Sequence, residues 1–144
     1  MKKRLLAGLL CLLLVFALLP NQALATETAT SVDVVFTHDL HSHVDSYADG
    51  SGGFARIKSI IDRFDKSRTL VLDAGDFSMG TLYQFGYTDY ATELRLFGQM
   101  GYDATTFGNH EFDYGDDAAA EMLTTAFTSG DALPAFLYGN IDLT

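Results

Sequence analysis

Thr69-Leu70-Val71-Leu72-Asp73-Ala74-Gly75-Asp76 is the stretch that decides how this chain folds. Its apolar run is short and uninterrupted, the pattern of a strand buried on both faces, and Gly75-Asp76 turns the chain out of it. Upstream, Val32 to Thr37 (V-D-V-V-F-T) is β-branched and nearly as continuous, so a second strand covered on both faces is expected there. Downstream, Tyr102 to Thr106 and Ala135 to Tyr138 complete a set of four. Helical spacing fills the gaps between them. Phe54, Ile57, Ile60, Ile61 and Phe64 recur every three or four residues, as do Leu94, Phe97 and Met100 within Tyr90 to Met100. Asp116 to Phe127 opens with acidic residues, which favour a helix N-terminus. Strand and helix therefore alternate from end to end, which predicts an α/β fold with a mostly parallel sheet and right-handed crossovers.

Length and composition set bounds on this picture. With 144 residues the chain is one small domain. Residues 1–25 read as a signal peptide: Met1-Lys2-Lys3-Arg4 is basic, Leu5 to Leu19 is apolar, and Ala23-Leu24-Ala25 fits a small-x-small cleavage site. The apolar run is shorter than the ~20 residues of a membrane span, so no stable span is expected after cleavage. The lone cysteine, Cys11, lies inside that run, and Leu10 before it lacks the small side chain of a lipid-attachment signal. The expected mature chain thus forms no disulfide, although an exported protein is free to use them. Its destination is periplasmic, secreted or cell-surface. After a short polar lead-in (26–31), the mature part holds six Lys and Arg against nineteen Asp and Glu, a net charge of about −13. That balance disfavours duplex nucleic acid, which rewards basic side chains. A phosphate substrate still fits if bound cations supply the positive charge locally.

Three polar turns follow the first three strands. They carry Asp39 and His41, then Asp76, then Asn109 and His110, and they are separated by 37 and 33 residues, about one βαβ unit each. In an open parallel sheet such turns converge at the C-terminal edge, where ligands bind. If extended geometry persists past Thr37, Asp39 and His41 point the same way and His38 the other. Carboxylate, imidazole and amide oxygen together suit Mn, Zn, Fe or Co. A carboxylate between other ligands, as Asp76 is placed, can bridge two cations that share a hydroxide and stabilise displacement at phosphorus.

These turns resemble those of the calcineurin-like metallophosphoesterases, within them the exported 5′-nucleotidase and UDP-sugar hydrolase group. The matching pieces are Thr37-His38-Asp39-Leu40-His41-Ser42, Gly52-Gly53-Phe54-Ala55-Arg56, Asp73-Ala74-Gly75-Asp76 with Gly80-Thr81, Gly108-Asn109-His110-Glu111-Phe112-Asp113, and Asn140-Ile141. The resemblance implies the N-terminal part (32–144) of an α/β/β/α sandwich and two divalent metal ions, Mn, Zn, Fe, Co or Mg. It implies that Asp39 and His41 hold one metal, Asp76 bridges, and Asn109 holds the other. His110 would act at the phosphoryl group and leaving oxygen, oriented by Asp113. The implied reaction is hydrolysis of phosphate esters, nucleotides first. Alternatives are 2′,3′-cyclic nucleotides or UDP-sugars as substrates, or a truncated metal-binding surface module without catalysis. His38 stands where the family often has Asn, and Ser42 where it often has Gly. The family's two further metal-binding histidines and its nucleotide-binding C-terminal domain would follow Thr144, so a fragment is expected.

The other polar residues of the turns have plainer readings. Glu111 is expected to cap or pair locally, with support of the metal ligands from behind as the alternative, Asp73 to stabilise its turn, and the aromatic stretch Phe77 to Tyr87 to form a loop over the site.

Overall fold

The computed structural model describes residues 31–139, so the expected signal peptide, Cys11, most of the lead-in and Asn140-Ile141 lie outside the described residues. Four strands, β1 (Asp33–Thr37), β2 (Thr69–Asp73), β3 (Ala104–Thr105) and β4 (Ala135–Phe136), form one all-parallel sheet in the order β1-β2-β3-β4. Helices α1 (Phe54–Ile61), α2 (Tyr87–Tyr90), α3 (Thr92–Met100) and α4 (Asp116–Thr128) occupy the connections. The alternating order expected from the sequence is thus the observed one, with shorter elements. α1 stops at Ile61, and Phe64, expected on its apolar face, follows in a turn with its amide bonded to Ile61 O.

The register explains where the core lies. Val35 pairs with Val71, and that row faces the helices, whereas Val34 pairs with Leu70 and Phe36 with Leu72 on the opposite face. Phe97 of α3 is completely buried and packs its ring against Tyr102, Phe77 and Phe54 with centroids 4.3, 5.4 and 5.7 Å away. Leu94, Met100, Tyr87 and, from α4, Met122 and Ala126 close the same core. Aromatic rings at these separations add to the burial of their area.

The other face of the sheet is open among the described residues, which corrects the expectation that β1 and β2 are covered on both sides: Leu70 of β2 is exposed. Val34 and Phe36 are each 57% exposed and Leu137 is 60% exposed. Phe36, Leu72, Ala104 and Leu137 line a shallow cavity of about 230 Å³ there. A continuous apolar run records burial on two faces, and only one covering layer lies within residues 31–139.

The stretch expected to be a loop over the site is also different. Leu82–Gly86 is a 3-10 turn leading into α2, and Phe77 and Tyr87 are buried in the core. Leu82 and Phe85 stand out into solvent.

Candidate metal centre

The three polar turns meet at the C-terminal edge of the sheet because the backbones of the first two are bonded to each other and side chains tie the third to the second. Past β1, Asp39 N donates to Gly75 O (3.1 Å), His41 N to Asp76 O (3.0 Å) and Ser42 N to Phe77 O (2.8 Å). These bonds hold Asp39, His41, Ser42 and Asp76 in the left-handed region, at φ of 52°, 45°, 55° and 53°. The extended geometry expected for Asp39 and His41 is therefore not what forms. Left-handed backbone costs a non-glycine residue on the order of 1 kcal/mol or more and is maintained only where surroundings over-determine it.

The second and third turns interlock through two glycines. A Cβ on Gly75 would clash with the backbone of Gly108, and one on Gly108 would clash with the Asp76 carboxylate. Gly75 also has φ of 91°, so a side chain there is excluded twice. Asp76 is aimed by this contact: its Oδ1 accepts the His110 amide at 2.9 Å.

His41, Asp76 and His110 each bring one possible ligand atom to within 4.8 Å of the others. The imidazoles meet edge to face with centroids 4.7 Å apart. His41 Nδ1 lies 3.1 Å from Met79 O, and a carbonyl only accepts, so Nδ1 carries the hydrogen and Nε2 is left with its lone pair. Such a bond fixes both tautomer and ring direction for metal binding. His110 Nδ1 donates to Asp113 Oδ2 at 2.8 Å, which turns its Nε2 to the site, bearing a lone pair in the neutral ring and a proton in the imidazolium. The Asp113 hydrogen bond and charge raise the His110 pKa, while partial desolvation opposes the rise.

Asp39 is exposed and pairs through Oδ2 with His38, while its Oδ1 lies 3.6 Å from His41 Nε2. The hydrogen bond from His38 holds its carboxyl below the usual range, and Asp76 is close enough to share in that effect. His38 therefore faces Asp39 rather than away from it. Asn109 leads into the 3-10 turn His110–Phe112, is exposed, and makes no side-chain capping bond there. An anionic, imidazole-rich set of this kind fits a divalent transition metal, with His41 Nε2 a suitable donor.

Three buried acids support these turns. Glu111 is completely buried and, against the local reading, reaches the Asp76 turn 35 residues away in sequence. Glu93 of α3, also buried, accepts the hydroxyl hydrogen of Ser42 and has its pKa raised by desolvation. Asp73 does stabilise its turn, through Gly75 N at 2.9 Å, and also bonds Thr37 and Thr105 on the flanking strands. The sequence signal for Glu93 is an acid one position before the apolar Leu94 of a helix, a pattern equally at home at a solvated helix start.

A parallel α/β sheet with a carboxylate–imidazole cluster at its C-terminal edge is the architecture of a metal-dependent hydrolase. The chain belongs to the calcineurin-like phosphoesterase family, whose model matches residues 32–140. It is 37% identical over 91 residues to the trifunctional nucleotide phosphoesterase protein YfkN of Bacillus subtilis, covering 63% of this chain and 6% of that protein. Against the 5′-nucleotidase of Mus musculus the identity is 32% over 124 residues, 78% of this chain and 21% of the relative. The solved 5′-nucleotidase precursor of Thermus thermophilus superposes with a TM-score of 0.62 at 31% identity, over 77% of this chain and 22% of that one. The chain thus spans about a fifth or less of the length of these relatives.

Proposed function

We propose that this chain carries the N-terminal part of the catalytic domain of an exported, metal-dependent phosphoesterase acting on nucleotides. The observation that carries the proposal is the convergence of His41, Asp76 and His110 within 4.8 Å, inside a family match that spans the three turns. Relatives named as nucleotide phosphoesterases and 5′-nucleotidases support the substrate class. The open sheet face at Val34 and Phe36 is where the second half of an α/β/β/α sandwich would stack.

Asp39 and His41 would hold one divalent cation, Asp76 would bridge, and Asn109 would hold a second. Bound divalent cations supply charge neutralisation and Lewis-acid polarisation of phosphoryl oxygens. The chain's own residues do the rest. Met79 O and Asp113 keep the Nδ1 hydrogens of His41 and His110 in place, so both rings present Nε2 to the site. His110, its pKa raised by Asp113, holds a proton at Nε2 for the departing oxygen and adds positive charge beside the phosphoryl group. Asp76 is held by the His110 amide, so the bridging carboxylate and the proton donor are positioned together.

Export with cleavage after Ala25 rests on the basic-apolar-AxA order of residues 1–25. Among the described residues no helix is long and apolar enough to cross a membrane. Recovering the exported chain with Met1 still attached would remove the signal-peptide reading. The function itself is tested on the longest natural form: metal content is measured first, then phosphate release from 5′-nucleotides, 2′,3′-cyclic nucleotides and UDP-sugars. Metal-dependent release from 5′-nucleotides is the expected result. Release from another ester class alone changes the substrate, and bound metal without turnover makes the chain a binding module.

A further inference from the structure

Glu111 receives four hydrogen bonds in a site with no exposure to solvent. Its Oε2 accepts from Asp76 N (3.0 Å) and Gly108 N (2.7 Å), and its Oε1 from Ser78 N (3.0 Å) and Ser78 Oγ (2.7 Å). Two of these donors flank the strained Asp76–Ser78 turn, and a third opens the turn that bears Asn109 and His110. The link runs both ways, because Asp76 Oδ1 accepts the His110 amide at 2.9 Å. Glu111 is fixed in turn by its backbone: its carbonyl takes the hydroxyl hydrogen of buried Tyr87 at 2.6 Å.

A carboxylate is the group that meets this demand. It has two acceptor oxygens and no donor, so all four hydrogens are satisfied at once. A glutamine side chain cannot do the same. Whichever way its amide is turned, an NH2 faces at least one backbone N–H, and a buried donor loses its acceptor. The Asp76 turn also needs such a bond more than most turns, since Asp76 sits at φ 53° and Met79 at φ 62°.

We infer that Glu111 is a positioning residue of the metal centre: its buried carboxylate clamps the Asp76 turn to the Asn109–His110 turn, so that the bridging carboxylate and the phosphoryl-facing imidazole keep one relative placement whether or not a cation is bound. This rests on the phosphoesterase reading for the roles of Asp76 and His110, and on the four hydrogen bonds alone for the clamp. Side chains that orient ligands from behind are worth roughly 10–100-fold in metal affinity when removed.

The test compares wild type, E111Q and M122A in the longest natural chain. Met122 is 1% exposed in α4 and takes no part in these bonds, so M122A lowers stability without touching the clamp. Mn2+ affinity is measured by titration calorimetry at a temperature where circular dichroism shows all three folded. Hydrogen–deuterium exchange of the metal-free chains is followed over residues 74–80 and 107–113. E111Q is expected to bind Mn2+ roughly 10–100-fold more weakly and to lose protection in both segments together, while M122A keeps wild-type affinity. With Mn2+ saturating, E111Q should lower kcat more than it raises KM. If E111Q does not fold, S78A takes its place. It deletes one donor of four, and about a two- to tenfold weakening is expected.

Equal Mn2+ affinity and unchanged exchange in E111Q (or, where that variant does not fold, in S78A) overturn the clamp and leave the phosphoesterase reading intact. So does M122A weakening Mn2+ as much as E111Q, because the effect would then be general instability. A wild-type chain that binds no Mn2+ instead sinks the reading of the site. Exchange at the Asp76, Ser78 and Gly108 amides then decides the clamp by itself.

Discussion

His110 gives its Nδ1 hydrogen to Asp113 Oδ2 across 2.8 Å, three residues along the same turn. That bond raises the pKa of His110, so the imidazolium persists to higher pH than in a free histidine. The sign follows directly: a raised histidine pKa keeps the charged form until pH climbs through the shifted value. In Asp113→Asn the charge and much of the bond are lost. The His110 titration, read by NMR in the metal-free chain, is expected to move to lower pH. The alkaline limb of turnover should move the same way. An unchanged titration would separate Asp113 from His110.

Removing the imidazole itself separates proton donation from metal binding. His110→Ala is expected to keep most of the bound metal and to lose about 10²–10⁴-fold in nucleotide turnover. The loss should be smaller for a nitrophenyl ester, whose leaving group needs less protonation. His110 is nevertheless within 4.8 Å of the other two candidate ligands. If His110→Ala empties the site, it is a ligand, and the proton-donor role passes elsewhere.

Asp76→Asn keeps the size of the side chain and can still accept the His110 amide through its oxygen. What it loses is the charge that would offset the bound cations. Metal content and turnover should therefore fall together, while the melting temperature of the metal-free chain changes little. Wild-type metal content and normal turnover in this variant would take Asp76 out of the site.

The strand-helix order was readable because apolar runs and three-to-four spacing are local properties, as at Thr69–Asp73 and Thr92–Met100. The meeting of His41, Asp76 and His110, with Asp39 beside His41, was readable too, since parallel strands deliver their following turns to one edge, whereas Asn109, expected in the same set, is exposed. Backbone conformation in those turns was not. Asp39 and His41 take left-handed angles because their amides bond Gly75 O and Asp76 O, partners more than thirty residues away. For the same reason the sequence left Glu111 between a local cap and a support for the ligands, and its carboxylate serves a turn 35 residues upstream. Phe77 and Tyr87 suggested a lid by composition, and only the packing of Phe77 on Phe97 and of Tyr87 over Glu111 puts them inside.

Ser42 has its own explanation in Glu93. Its φ of 55° is a glycine-like conformation, yet its hydroxyl supplies a hydrogen to the buried Glu93 carboxylate. Ser42→Ala keeps the strain and removes the donor, a loss of about 1–3 kcal/mol. Ser42→Gly removes the same donor but relaxes the backbone, so it should be less destabilising than Ala by about 1 kcal/mol. Urea unfolding of both variants checks the order. Glycine no better than alanine would mean that the left-handed angle carries no strain.

Asp73 makes a pH-dependent prediction of opposite sign to most native carboxylates. Burial raises its pKa from an ordinary 3.8 to about 6, outweighing hydrogen bonds from Thr37, Gly75 and Thr105, and the charge of Glu111 pushes the same way. The folded chain therefore binds more protons here than the unfolded chain between those two values. The stability this group contributes is fully present below the unfolded value and is lost as pH rises through about 6. Asp73→Asn removes the titration and can keep the contacts. Its oxygen still accepts from Gly75 N and Thr105 Oγ1, and its NH2 can donate to Thr37 Oγ1, which then gives its own hydrogen to Tyr102 OH, 2.9 Å away. Wild type and variant should thus be nearly equal in stability at about pH 4 and diverge upward, with Asn the more stable by on the order of 2–3 kcal/mol at about pH 7. Urea unfolding of the metal-free chains at steps across that range measures the difference. A difference that stays flat with pH would mean that Asp73 is ionised in the folded chain throughout, and that its three hydrogen bonds outweigh its burial.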